Sequence, residues 1–311
     1  MGKRTGAALL SVAVLLAVAG GGRGDEKPGA QPLRAALSQE FDLAGVRAAG
    51  PQRYRMESEC ISYAPDGRRH GRAIFRLDLL YEPAEDGVRV TCRRYTVQEN
   101  DGPERVLPAM AGWSYVMQPG TDPQGQLFGI PQARFQKLTD ADGKPLEQAL
   151  AYHVFNSFVD FHALVDVFAA PMRDGRSIAD LRRVGDKVVH AAADSEAPIH
   201  LLGQFDEGST FENGRVALAL KGLSLVDGAP CALLAYDSGG SSLQATSAPA
   251  PSMRLRLVGS SHYWGDIHVE LASLWPLMAD MTEVVVMQMT IGEQVVNSVA
   301  ERHILLKVAG E

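Results

Sequence analysis

The chain has 311 residues, with 30 Lys and Arg against 37 Asp and Glu, for a formal net charge of -7. At 46% hydrophobic and 22% charged it is too apolar for a disordered chain and too interrupted by charge for a multi-span membrane protein. The acidic balance argues against a nucleic-acid partner, and three cysteines in so long a chain exclude a disulfide-stapled miniprotein.

Lys3 and Arg4 form a basic head before an unbroken small and apolar run from Gly6 to Ala19, and Ala17-Val18-Ala19 places small residues where a signal peptidase reads them. The run is shorter than the roughly 20 residues a bilayer span needs. Residues 1–19 therefore read as a signal peptide, with an uncleaved anchor as the alternative, and the chain as exported to the periplasm or beyond. The first cysteine is Cys60, so no lipid-modified N-terminus is expected. Cleavage after Ala19 would leave the mature chain two charges more negative. Residues 20–50 read as a flexible lead-in, and the Arg23-Gly24-Asp25 tripeptide within it is common enough by chance to carry no weight.

From Arg53 the pattern alternates at a period of two. Tyr54, Met56, Ser58 and Cys60 share one strand face; Ala73, Phe75, Leu77, Leu79 and Tyr81 repeat it, then Val88, Val90 and Cys92. Turn residues at Pro65-Asp66-Gly67 and between Pro83 and Gly87 predict a three-strand antiparallel meander with one wet face. Further strands are predicted at Ser114–Gln118 and Ala133–Leu138, the latter entering a turn at Asp140-Ala141-Asp142-Gly143. Cys60 and Cys92 fall on strands flanking that of Phe75, two strand spacings or about 9.6 Å apart, beyond disulfide reach.

The middle of the chain changes period. Leu146, Leu150, Val154, Phe158, Phe161, Val165 and Phe168 recur every three or four residues, predicting a helix over Leu146–Ala169 with Pro145 in its first turn and Pro171 as its stop. With Phe155 added it is apolar over much of its girth, as a helix sandwiched between layers is. A short helix is expected from Ser177, with Asp180 completing a capping box. Strands then return at Lys187–Ala191, Arg215–Val226, Pro230–Tyr236, Arg254–Val258, Tyr263–Trp275, Glu283–Ile291 and Val295–Val308, the last two joined at Gly292; Ala245–Pro251 reads as a Ser/Ala/Pro loop. The fold class is α+β: a curved, mainly antiparallel, half-barrel-like sheet enclosing a central apolar helix. Residues 51–311 form a single domain whose β-rich parts, 51–145 and 184–311, are joined by helices over 146–184.

Val184-Gly185-Asp186-Lys187-Val188, Leu220-Lys221-Gly222 and Val226-Asp227-Gly228-Ala229-Pro230-Cys231-Ala232-Leu233-Leu234 carry a resemblance to a broad group of uncharacterised exported bacterial β-rich proteins, with Val188 where that group has Trp. The resemblance spans about Arg53 to Tyr236. It implies an architecture similar to the half-barrel carriers of lipoproteins and lipids, and it implies no catalytic residues. Physically, Asp227-Gly228 and Gly185-Asp186 are turn chemistry with positive φ.

Three constellations carry possible chemistry. Leu233 to Gly239 is an apolar strand running into Asp237-Ser238-Gly239, as in aspartic proteases. That mechanism needs two such carboxylates and this chain has one, so it would act as a dimer. In Ser261 to Glu270, a strand would put His262, Trp264, Asp266, His268 and Glu270 on one face. His262 and Asp266 would lie about 13 Å apart, leaving Asp266 and His268, at about 6.6 Å, as the pair able to share a metal. On the helix, His153, Asp160, His162 and Asp166 form a polar edge on which His162 and Asp166 lie one turn apart, either an acid/base pair or a helix-face ion pair. Met278, Met281, Met287 and Met289 suit an adaptable apolar lining or ordinary core filling.

No phosphate-binding loop, dinucleotide fingerprint, nucleophile elbow or Cys-x-x-Cys occurs, so no cofactor is expected. The sequence points to an exported non-enzymatic binding or structural protein. An apolar ligand would meet Phe158, Phe161, Val165, Phe168 and Trp264; the alternatives are an aspartic-type hydrolase using Asp237 and a cell-envelope scaffold or assembly partner. No nucleic-acid partner and no transmembrane span in the mature chain are expected.

Overall fold

Period-two alternation becomes three long strands, β1 (Gln52–Tyr63), β2 (Arg69–Ala84) and β3 (Gly87–Glu99), paired antiparallel as a meander. The computed structural model describes residues 43, 47–85, 87–117, 130, 132–135, 137–140, 142–166, 172–191, 193–198, 205–250 and 253–310. All fall in one compact unit, Phe41–Glu311. The features read at residues 1–19, at Arg23-Gly24-Asp25, at Phe168 and at Pro171 lie outside the described residues.

The remaining strands are β4 (Arg105–Val106), β5 (Ser114–Met117), β6 (Lys187–Val189), β7 (Glu196–Pro198), β8 (Thr210–Glu212), β9 (Ala217–Val226), β10 (Ala229–Gly240), β11 (Ser242–Ala250), β12 (Met253–Glu270), β13 (Pro276–Ile291) and β14 (Gln294–Val308). Among the described residues there are also two helices, α1 (Gln132–Phe135) and α2 (Gln148–Val165), and short 3-10 turns.

The sheet path runs β4-β3-β2-β1-β14-β13-β12-β10-β9-β6, every pairing antiparallel and the ends left unclosed. β1 pairs β14 from Tyr54↔Val308 to Tyr63↔Val299, so the two β-rich parts form one sheet. On one face Tyr54, Met56, Leu77, Leu79, Ile267, Met281, Ile304 and Leu306 are buried. The other face is laced by cross-strand pairs such as Arg53–Asp78, Arg72–Glu59 and Arg76–Glu57.

Turn chemistry holds where it was expected. Val226 pairs Ala229 across a two-residue hairpin in which Asp227 (φ 48°) and Gly228 (φ 86°) both take positive φ, a demand that Asp-Gly meets. Ser177 caps a single 3-10 turn over Ile178–Asp180 with a complete capping box. Gly265 serves a close approach instead: a Cβ there would sit 2.1 Å from the Asp280 carbonyl oxygen.

Several elements differ from expectation. Arg254–Val258 and Tyr263–Trp275 are one continuous strand through Glu270, and β13 starts early, at Pro276. The Ser/Ala/Pro run is strand β11, held by β12 and β8, with Pro249 in a stretch where the register shifts. The stretch read as the strand Ala133–Leu138 begins instead in the one-turn helix α1, whose Phe135 packs 5.3 Å from Phe158. Pro145 forms a β-bridge with Thr139 rather than opening α2, which starts at Gln148.

The cysteines are all free. Cys60 stands opposite Ala73 and Cys92 opposite Leu79, so the register separates them by six residues along β2, about 20 Å, in addition to the strand spacings.

Helix α2 packs its apolar girth against the sheet. Val154, Phe155, Phe158, Phe161, Leu164 and Val165 are buried. The Phe161 ring meets Tyr54 at 5.5 Å and Tyr81 at 6.2 Å, while Phe158 meets Trp113, Tyr115 and Phe135. Edge-to-face geometry of this kind adds to the area term. No helix among the described residues is long and apolar enough to cross a membrane.

Candidate functional site

The helical repeat puts His162 and Asp166 one turn apart at the C-terminal end of α2, where Asp166 is the C-cap and its N–H bonds the His162 carbonyl. His162 Nδ1 donates to Asp166 Oδ2 at 2.6 Å, and Nε2 faces the Tyr115 hydroxyl at 2.6 Å. Tyr81 donates to Asp166 Oδ1 at 2.6 Å, and Arg47 reaches the same oxygen at 3.3 Å. Arg47 also bonds the Val165 carbonyl at 2.5 Å and lies 4.4 Å over the Trp275 ring, whose Nε1–H donates to the Ala48 carbonyl. The end of the segment read as a flexible lead-in is thus tied down at Arg47 and Ala48.

The electrostatics follow from burial. Burial pushes the Asp166 carboxyl up, but His162, Arg47 and Tyr81 together outweigh it and hold the group below the usual carboxylate range. Burial, aided by Asp166, drives the Tyr115 and Tyr81 phenols well above their ordinary value. A Tyr–His–Asp chain has the layout of a nucleophile relay, but this hydroxyl is hard to ionise and fully enclosed. What the arrangement does is satisfy a buried carboxylate and lock the helix end to β2, β5 and the Arg47 segment. The buried Tyr54 hydroxyl has no hydrogen-bond partner among the described residues.

Asp160 belongs to a second cluster. It pairs with Arg302 of β14, which also bonds Glu283 of β13 at 2.6 Å; Glu283 and Arg302 are opposite in register. Burial and then Glu283 push Asp160 up to about 6 against the pull of Arg302. The Tyr263 hydroxyl is buried beside them without a hydrogen-bond partner among the described residues. His153 stacks on Phe75 at 5.0 Å, and burial lowers its basicity.

The remaining candidates lie elsewhere. Phe158, Phe161 and Val165 are in the aromatic core just described. His262, Trp264, Asp266 and His268 share the outer face of β12, as the alternation required, but have separate partners. Both Asp266 oxygens bond Lys221 at 2.8 Å, His268 Nδ1 meets the Ser224 hydroxyl at 2.7 Å, and Trp264 is exposed beside the His262 ring. No group of three or more potential metal ligands occurs among the described residues. Asp237 sits on the same outer face, accepting from the Gly239 N–H and from His262, both at 2.8 Å; first the Gly239 bond, then His262, hold its carboxyl below the usual range against its slight burial. Met281 is in the core, Met278 faces outward opposite His268, and Met287 and Met289 lie further along β13.

Sequence reasoning missed Arg47, Tyr81, Tyr115, Glu283 and Arg302 as partners of the helix. Two left a signal. Arg302 interrupts the inward series Ala300, Ile304, Leu306, and Glu283 interrupts Met281, Val285; a charge at an inward position of a strand needs a buried partner.

Two surface clefts are lined by none of the buried polar groups. One, of about 290 Å³, is bordered by Trp113, Arg134 and Leu138. The other, of about 410 Å³, is bordered by Val258, Val286 and Val299.

Comparison with protein-family models and with curated protein sequences finds no match. Among solved structures the chain aligns with Salmonella typhi OmpF in complex with daunomycin, at 8% identity over 82% of this chain and 97% of that one, with a TM-score of 0.24. It also aligns with the outer membrane channel DcaP of Acinetobacter baumannii, at 6% identity over 88% and 100%, with a TM-score of 0.17. Likenesses at this level carry no argument about fold or function.

Proposed function

We propose that the protein is an exported, non-enzymatic binding protein whose half-barrel-like sheet curves around α2 and holds an apolar or lipid-like ligand on its inner face. One observation carries this reading. The inner-face alternation of β12 and β13 does not stop where the core stops: Leu255 and Leu257 continue the face of Tyr263 and Ile267, and Met287, Met289 and Ile291 lie opposite in register. These five side chains are only half-buried and belong to no part of the hydrophobic core. An apolar strip rich in methionine, on the same face as the core but beyond Ser261 and the Glu283–Arg302 pair and not consumed by the core, suits an adaptable apolar ligand. The N-terminal basic head and apolar run support export, and the enclosure of the Tyr–His–Asp chain favours a non-catalytic role.

Titration with a fluorescent fatty-acyl probe tests the reading. Saturable binding is expected in the wild type and is lost in the double variant Leu257→Asp, Met289→Asp with the thermal melt unchanged. A wild type that gives no saturable signal, or a variant that binds equally well, would overturn it.

A further inference from the structure

We propose a second surface: the outer face of the β12–β14 extension docks onto an anionic lipid bilayer. This goes beyond the ligand site, which lies on the opposite face, and stands independently of it.

The outer face of these strands changes character along its length. Nearer the core it is polar and paired: Lys221 with Asp266, His262 with Asp237, His303 with Asp280. Past His262 these ion pairs give way to valines, interspersed with the hydrogen-bonded pair Gln288–Asn297. Val286 and Val299 are directly opposite in register, Val258 lies one strand over, and Val295 follows toward the Gly292-Glu293 turn. All four are exposed, Val286 by 53% and Val295 by 56%. With Pro65 from the β1–β2 turn, three of them frame the shallow cleft already described, whose other lining is uncharged. Valines grouped on the wet face of a sheet do nothing for its core.

Cations flank this patch on a chain of net charge -7. Arg254 and Arg256 continue the face of Val258 toward the tip, are exposed, and have no ion-pair partner among the described residues. Of the nearby acids, Asp66 is paired with Arg68, and Glu301 accepts from the Tyr63 hydroxyl. The turn residue Glu293 at the tip, and Asp206 and Glu207 beside Thr246, the strand partner of Arg256, are further exposed acids near the arginines. From Tyr263 to Leu255 the extension runs about 26 Å, which carries the patch away from the packed core.

Size decides between a bilayer and a second copy of the chain. A stable protein interface needs about 800 Å² from each partner, contributed by some 20–30 residues. Four valines and a proline fall well short. A few apolar side chains with adjacent arginines are what a protein presents to the headgroup boundary of an anionic membrane.

The experiment is co-sedimentation of the full chain with vesicles of phosphatidylcholine alone or mixed with phosphatidylglycerol. Binding is expected to be roughly tenfold tighter to the anionic vesicles and to weaken with salt. Val286→Asp with Val299→Asp should weaken it, and Arg254→Glu with Arg256→Glu should abolish the anionic preference, with thermal melts and acyl-probe titration unchanged. Equal binding by wild type and both variants, or a wild type that stays in the supernatant, overturns the proposal. So does a concentration-dependent dimer lost in the valine variant, which would assign the patch to a second copy.

Discussion

His162 donates from Nδ1 to Asp166 at 2.6 Å across one turn of α2, with both side chains enclosed by protein. The Asp166 charge is tolerable in that position because three neighbours, His162, Tyr81 and Arg47, share it, and removing one leaves the rest unbalanced. His162→Ala should therefore cost about 3–5 kcal/mol in urea unfolding. Tyr115→Phe, which removes one hydroxyl from the far side of the ring, should cost about 1 kcal/mol. Equal small losses would show that the network does not anchor the helix end.

Phe161→Ala opens a void between α2, Tyr54 and Tyr81 and should lower stability by about 3–5 kcal/mol. Thermal melts with and without a fatty-acyl probe separate packing from binding. A loss confined to probe binding would mean that the ring meets ligand rather than sheet.

Asp160 gives the protein a pH dependence of unusual sign. Its carboxyl is held up at about 6 by burial, whereas in the unfolded chain it returns to about 3.9. Between those values the folded state binds more protons than the unfolded one. Its contribution to stability therefore falls as pH rises from about 4 to about 6, by an amount on the order of 2–3 kcal/mol. Asp160→Asn should remove this component, read as the difference between wild-type and variant urea midpoints at pH 4.5 and pH 7. An identical pH profile in the two proteins would refute the assignment.

Asp237→Asn keeps an acceptor for the Gly239 N–H on an exposed face, so stability should change by about 1 kcal/mol or less. Pepstatin-sensitive proteolysis by the purified wild type, absent from the variant, would instead make this carboxylate catalytic.

Gly265→Ala places a methyl group against the Asp280 carbonyl and should cost about 3 kcal/mol as β12 and β13 are forced apart. A variant melting within a degree of wild type would show that the strands relax freely there.

The legible parts of this molecule were those governed by local rules. Alternation from Tyr54 to Cys92 located the meander, three-and-four spacing located α2, and Asp227-Gly228 located a hairpin, because each depends on residues close in sequence. The Ser242–Ala250 strand was illegible because its small side chains do not alternate; pairing with β12 and β8 makes it a strand. Phe135 looked like strand because an apolar residue between polar ones has no period of its own. The His162–Asp166 pair could be read from helix geometry, but its partners Arg47, Tyr81 and Tyr115 lie 119, 85 and 47 residues from the group each contacts. Only the sheet's topology brings them together.

The three thiols carry a consequence for how the chain matures. None is bonded, Cys60 and Cys92 are offset along β2, and four sheet spacings, about 19 Å, separate β1 from the strand holding Cys231. Burial pushes Cys92 up to about 12 and Cys231 up to about 11, so little thiolate is present to be attacked by oxidants at neutral pH. The folded chain accordingly places no two of its cysteines within reach of one another. Reaching this fold therefore takes no disulfide within the chain, whichever side of a membrane it folds on.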